Sequence, residues 1–379
     1  MSEQKKRNKK DPSQMRHGYT TGSCATAMTK AALQALIVGK VPDEVTIYLP
    51  VVSQYATFKV SAFEVSDEWV MCETIKDAGD DPDATHQARI RSTVRYSKEK
   101  GIHLDGGVGV GRVTKAGLPV PVGQAAINPV PRKMIYGVVQ EALEKFHLDC
   151  GIEVVISVPE GEEIAKKTLN GRLGIIGGIS ILGTRGTVIP FSSSAYMASI
   201  VQAINVAKEA GCEHLVITTG GRSEKYAMRQ YPHLPEEAFI EMGDFVGFTL
   251  KNLARKKIPR VSLVGMMGKF SKVAQGVMMV HSKSAPVSFE FLAGIANKVG
   301  VDEETQREIL QANTASQVAE FLQGNEAFFT ALCKNCCYYA LNHLNTDMKV
   351  STTLYTLNGD FLGKAENIDK LDEDDWYRG

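Results

Sequence analysis

Three apolar runs in the second half of the chain, HLVITTGGRSE, FIEMGDF and VSLVGMMGKF, each stop at a short polar or glycine turn. The turns cover residues 218–222, 242–244 and 265–269. In open α/β sheets, turns at the carboxyl ends of strands line the crevice where ligands bind. Glycine there lets backbone lie close to a ligand, and hydroxyls, carboxylates and ammonium groups supply the polar contacts. A second gathering of chemistry is HGYTTGSCATA, where Thr20, Thr21 and Ser23 precede an alanine-rich helix. Hydroxyls and free amides at a helix start can hold a carboxylate or phosphate, but an ordinary N-cap is the simpler expectation. The third is CKNCC, with Cys333, Cys336 and Cys337 spaced as in metal or iron–sulfur sites. It has no partner CxxC, and the nearest histidine is His343. On a helix these cysteines continue an apolar stripe with Phe329 and Ala340. We therefore expect buried core thiols and no metal.

The elements that must position these residues centre on NGRLGIIGGISILGTRGTVIP, residues 170–190, with six glycines between Gly171 and Gly186. Two readings stand for it: a tight, buried structural turn, or a cofactor loop. The GxGxxG fingerprint and the GxxxxGK[ST] phosphate loop are both absent, and Gly109–Gly111 offers only GxG. Pattern alone gives an α/β enzyme with a small-molecule site.

Upstream, runs 44–50, 56–65, 69–77, 87–97 and 106–115 read as strands, with Ser66, Asp67 and Glu68 as a hairpin connection. A helix follows Pro129 and Pro131 and stops near Gly151. Residues 152–159 read as a buried strand, 160–170 as a helix, and 192–211 as a strong helix. Residues 288–344 are helical, and 351–365 form a hairpin whose Asn358-Gly359 pair signals a type I′ turn. The expected organisation is an α+β domain at 16–150, a Rossmann-like α/β domain at 151–287, and a helical region with terminal hairpin at 288–365. A disordered basic tail (1–15) and an acidic tail (366–379) flank them.

At 379 residues there is room for two or three domains. Lys+Arg and Asp+Glu balance at 43 each, so no global field draws the chain to nucleic acid or membrane. No apolar run has the length of a membrane span, and no signal peptide follows Met1. A cytoplasmic protein is expected. Seven cysteines in this length do not make a disulfide framework.

Several ordered motifs together resemble the CbiD family, the cobalt-precorrin-5B C1-methyltransferases of oxygen-independent cobalamin biosynthesis. They are HGYTTGSCATA, DPDATH, LDGGVGVGRVTKAGLPVPVGQAAINPVPR, GRLGIIGGISILGTRG, TTGGRSE, GDFVGF, GMMGKFSKVAQG and HSKSAP, and the likeness runs from His17 to at least Leu344. It implies methyl transfer from S-adenosylmethionine to ring carbon C-1 of a cobalt corrinoid, with cobalt entering only as part of the substrate. The candidate donor contacts, at the predicted strand ends, are Thr218, Thr219, Gly220, Gly221, Asp244 and Gly265. Glu224 and His281 are the implied acid–base candidates. Such a substrate carries acetate and propionate groups, which arginine forks suit. Arg112, Lys115, Arg132, Lys133, Arg172, Arg185, Arg222, Lys225, Lys269, Lys272 and Lys283 all lie within these motifs. Arg132, Arg185 and Arg222 lead, with Lys269 beside them. The expected partner is the corrinoid itself, with a homo-oligomer possible. A non-catalytic corrinoid-binding protein is the alternative, and a nicotinamide-dependent reductase a weaker third.

Overall fold

The computed structural model describes residues 14–344 and 346–366 and divides the chain into two compact units, Met1–Ser193 and Ser194–Gly379. Apart from Gln14, Met15 and Glu366, the two expected tails lie outside the described residues.

The first unit is built on a five-stranded sheet ordered Ala62–Val65, Trp69–Ile75, Arg89–Ser97, Gly151–Ser157, Ile102–Gly106. Neighbours are antiparallel except the last pair, which is parallel. Strand alternation sends Ile90, Ser92 and Val94 inward, with Ile152, Val154 and Ile156 beside them, all fully buried. Helices Thr21–Val38 and Pro129–Lys145 share that core. Each such buried aliphatic side chain contributes about 1.5–3 kcal/mol.

The strand at 151–157 corrects the expected boundary at residue 150. It has a hydrogen-bonded neighbour on both sides, Arg89–Ser97 and Ile102–Gly106, so it is an interior strand of the first unit's sheet. The run 56–65 is also two strands. Gln54–Lys59 pairs with Glu44–Leu49, whereas Ala62–Val65 pairs with Trp69–Ile75. The glycine-rich run 106–115 keeps only the fragments Gly109–Val110 and Arg112–Val113 after Gly106, and the helix expected over 160–170 covers only Gly161–Ala165.

The glycine stretch at 170–190 is a structural turn. Its short strands pair back onto earlier chain: Ile175–Ile176 with Arg112–Val113, Gly178–Ile179 with Gly109–Val110, and Thr187–Val188 with Gly18–Tyr19. A Cβ at Gly178 would stand 2.1 Å from the carbonyl oxygen of Gly109, closer than any real contact. Glycine is required there because two backbones meet.

The second unit carries a mixed five-stranded sheet ordered Phe239–Glu241, His214–Thr218, Arg260–Met266, Lys349–Tyr355, Phe361–Glu366. The first four strands are parallel and the last is antiparallel. The terminal hairpin therefore completes this sheet. Its turn is not type I′, which needs two left-handed residues. Gly359 has φ 97° and Asn358 is not left-handed, and Thr356 bridges the turn to Asp360 and Gly359 through its backbone. Helices including Ser193–Glu209, Gly221–Gln230, Val246–Arg255, Met267–Val273 and Glu326–Asn342 surround the sheet. Among the described residues, no helix is long and apolar enough to cross a membrane.

Candidate functional site

Parallel strands bring their carboxyl ends to one edge. Thr218 is in register with Glu241 on one side and Val264 on the other, and Met266 with Tyr355. The three turns singled out in the sequence thus leave the second unit's sheet side by side. Lys269 ties them together. Its Nζ lies 3.0 Å from Asp244 Oδ1 and donates to the carbonyl of Thr219 at 3.4 Å, so one ammonium holds residues from all three turns. Ser223 secures the first turn from within: its hydroxyl donates to Gly220 O at 2.8 Å and accepts the Thr219 N–H at 3.2 Å.

Tyr196, on the helix Ser193–Glu209, stands against Gly243 and is hydrogen-bonded to Glu241. Burial, and then the negative charge of Glu241 and Asp244, push its phenol far above the usual range, so it stays protonated. Glu224, which contributes to the same effect, lies within electrostatic reach. The edge is therefore rich in carboxylates, with Lys269 set among them.

Among the described residues, two buried polar atoms here lack a hydrogen bond. Thr218 is fully buried, yet its Oγ1 has no partner among the described residues. Asp244 Oδ1 meets Lys269 outside hydrogen-bond geometry. Leaving such a group unmatched costs about 1–3 kcal/mol, which a bound ligand can recover. There is also room. A Cβ at Gly221 or at Gly268 would meet nothing within 4 Å.

Gly265 is a correction to the sequence expectation. A Cβ on it would lie 2.0 Å from the ring of Phe270, so the space it leaves is filled by that ring and not by a ligand. Lys272 is also structural: it is buried and donates to the carbonyls of Val280 and His281 at 3.3 and 3.4 Å. Those bonds bring the HSKSAP segment alongside, since the Val280 N–H donates to Asp244 O at 3.1 Å. The His281 ring is exposed, with Nδ1 accepting the Lys283 N–H at 3.1 Å. Arg222 and Lys225 are exposed on the helix Gly221–Gln230.

In the first unit, the hydroxyls ahead of the first helix are used internally. Thr20 Oγ1 caps the Ser23 N–H, Ser23 Oγ donates to Gly186 O at 2.6 Å, and Thr21 Oγ1 accepts the Leu182 N–H at 2.9 Å. They fasten the glycine stretch to the helix start. Arg185 is exposed on that fastened loop. Arg132 and Lys133 line a cavity of about 330 Å³ with Pro119, Pro121 and Tyr136. Arg112 is paired with Asp105 at 2.6 Å, and the Lys115 ammonium donates to Arg172 O at 3.2 Å.

The CKNCC thiols are core groups. Cys333, Cys336 and Cys337 are buried and donate weakly to Gly363 O, Phe270 O and Thr352 Oγ1. Burial pushes all three pKa values up, that of Cys337 to about 11. Such thiols remain protonated and are poor ligands. Among the described residues no cluster of three or more His, Cys, Asp or Glu could hold a metal.

The CbiD profile matches residues 8–190, and that of the CbiD C-terminal domain matches residues 279–366. The chain belongs to the CbiD family. A cobalt-precorrin-5B C(1)-methyltransferase of Geobacillus sp. strain WCH70 is 66% identical over 94% of this chain and 98% of its own. The protein of that name from Priestia megaterium is 62% identical over 94% and 97%. Among solved structures, the cobalamin biosynthesis protein CbiD of Archaeoglobus fulgidus shares 28% identity, with TM-score 0.37, covering 67% of this chain and 78% of that one. Within this CbiD chain, sequence reasoning misses Tyr196, Glu241 and Ser223. Only Glu241 carries a signal, as an acid closing a strand-like run; the other two sit on helices whose pattern is simply helical.

Proposed function

We propose that the protein transfers a methyl group from S-adenosylmethionine to C-1 of cobalt-precorrin-5B, giving cobalt-precorrin-6A in oxygen-independent cobalamin biosynthesis. The observation that carries this reading is near full-length identity of 66% to a relative named cobalt-precorrin-5B C(1)-methyltransferase. The same kinship favours an enzyme over a non-catalytic corrinoid carrier.

The second unit, read as Rossmann-like, is where the donor fits. S-adenosylmethionine supplies a methyl on a positively charged sulfur, ready for displacement. The carboxylate-rich edge around Asp244, Glu241 and Glu224 suits that cationic ligand, the open space at Gly221 lets backbone approach it, and Thr218 Oγ1 awaits a partner. Lys269, expected on the substrate side, is assigned here to the donor side, since its ammonium lies 3.0 Å from Asp244 Oδ1. Methyl transfer needs mainly that donor and acceptor be held in line, and rigid strand ends provide that. Where C-1 must lose a proton, Glu224 or the Nε2 side of His281 is the acceptor we assign. Arg132, Arg185 and Arg222 are assigned to corrinoid carboxylates, which guanidinium forks suit.

The test is direct. Purified protein given cobalt-precorrin-5B and methyl-labelled S-adenosylmethionine under anaerobic conditions is expected to place label at C-1 without NAD(P)H. Corrinoid product lacking label at C-1 sinks the methyltransferase reading.

A further inference from the structure

Glu241 closes the edge strand Phe239–Glu241 and is in register with Thr218, the last residue of the neighbouring strand. Registered partners in a parallel pair project to the same face, so the carboxylate and the unpartnered Thr218 hydroxyl share one side of the sheet edge. Glu241 Oε1 lies 3.6 Å from where a Cβ on Gly220 would be, so the carboxylate reaches across the glycine turn. Tyr196 hydrogen-bonds the same carboxylate and fixes its direction. A carboxylate offers about four acceptor positions, more than one phenol can fill.

We infer that Glu241 accepts hydrogen bonds from the ribose hydroxyls of the methyl donor, with Tyr196 as its positioning residue. This role rests on the donor site proposed for the second unit and adds the chemistry of one contact. A strand, a glycine turn, a helix and then an acid at the end of the adjacent parallel strand form an arrangement that suits a vicinal diol. Here Glu241 follows Gly221 by 20 residues, although the turn lacks the full dinucleotide fingerprint. A diol donates two hydrogen bonds, and a carboxylate held above the turn accepts both. The cationic end of the donor is left to Asp244, on the following turn.

Binding of S-adenosylhomocysteine and of its 2′-deoxy and 3′-deoxy forms, measured by calorimetry, tests this without turnover. Wild-type protein is expected to bind the parent about ten- to a hundredfold more tightly than at least one deoxy form, the range for a charge-assisted hydrogen bond. Glu241→Gln should weaken the parent by a similar factor and change the discriminated deoxy form little. Tyr196→Phe should erode the same discrimination more mildly. Thermal unfolding of each variant checks its fold. If Glu241→Gln does not fold, the wild-type discrimination and Tyr196→Phe decide. Equal affinity of wild type for parent and deoxy forms overturns the inference, as does equal loss of all three ligands in folded Glu241→Gln. Failure of wild type to bind S-adenosylhomocysteine at all removes the donor-site reading itself, and this inference with it.

Discussion

At the scale of single residues, the second unit holds a division of labour that binding can test. Gly221 is glycine beside open space, and a branched side chain there would occupy it. Gly221→Val should abolish S-adenosylhomocysteine binding in calorimetry while leaving corrinoid binding near wild type. Arg185→Ala should do the opposite, weakening the corrinoid about ten- to a hundredfold. Equal loss of both ligands in both folded variants would refute this assignment. Residues with local signatures are legible in the sequence. TTGGR, GDF and MMGKF announce turns at strand ends because Gly, Thr and Asp have turn chemistry of their own. Gly265 misleads because a glycine that admits a ligand and one that admits a phenylalanine ring look the same in sequence. Tyr196 is hidden for another reason: its partners, Glu241 and Asp244, reach it only through the packing of the helix against the sheet.

At the scale of elements, periodicity identifies most strands and helices, but not which sheet a strand joins. The run IEVVIS reads as a buried strand wherever it lies, and only its hydrogen-bonded neighbours assign it to the first unit. The terminal hairpin is similarly visible as a hairpin and invisible as the edge of a parallel sheet. One strand also carries a pH dependence. His214 opens the strand His214–Thr218, with Nε2 2.8 Å from Ser262 Oγ and the Tyr231 ring edge-on beside it. Burial, reinforced by the positive charge of Arg260, lowers its pKa from 6.5 to about 4. Between those values an unfolded chain binds a proton that the folded one refuses. The stabilisation is therefore complete above about pH 6.5 and is lost progressively as pH falls toward 4. Melting temperatures measured from pH 7 to pH 4 should decline, and His214→Gln should flatten the decline. An unchanged slope in the variant would assign the acid sensitivity elsewhere.

At the scale of the whole molecule, each unit has its own buried core. The domain boundary is not legible in the sequence because the glycine stretch, which reads like the heart of a second domain, is the last piece of the first. Its attachment to Thr20, Thr21 and Ser23 sets a schedule for biogenesis. Tyr19 pairs with Thr187 and the Ser23 hydroxyl donates to Gly186, so the start of the first helix waits for chain made much later. At the pace of translation that delay is roughly ten to thirty seconds, during which an apolar helix emerges from the ribosome without its fastening. A fragment ending at residue 193 should therefore resist trypsin, and one ending at residue 170 should be digested quickly. Resistance of the shorter fragment would mean that the fastening is dispensable. The nascent first unit is thus a natural client for chaperones, and a pause in synthesis before Gly186 prolongs its exposure.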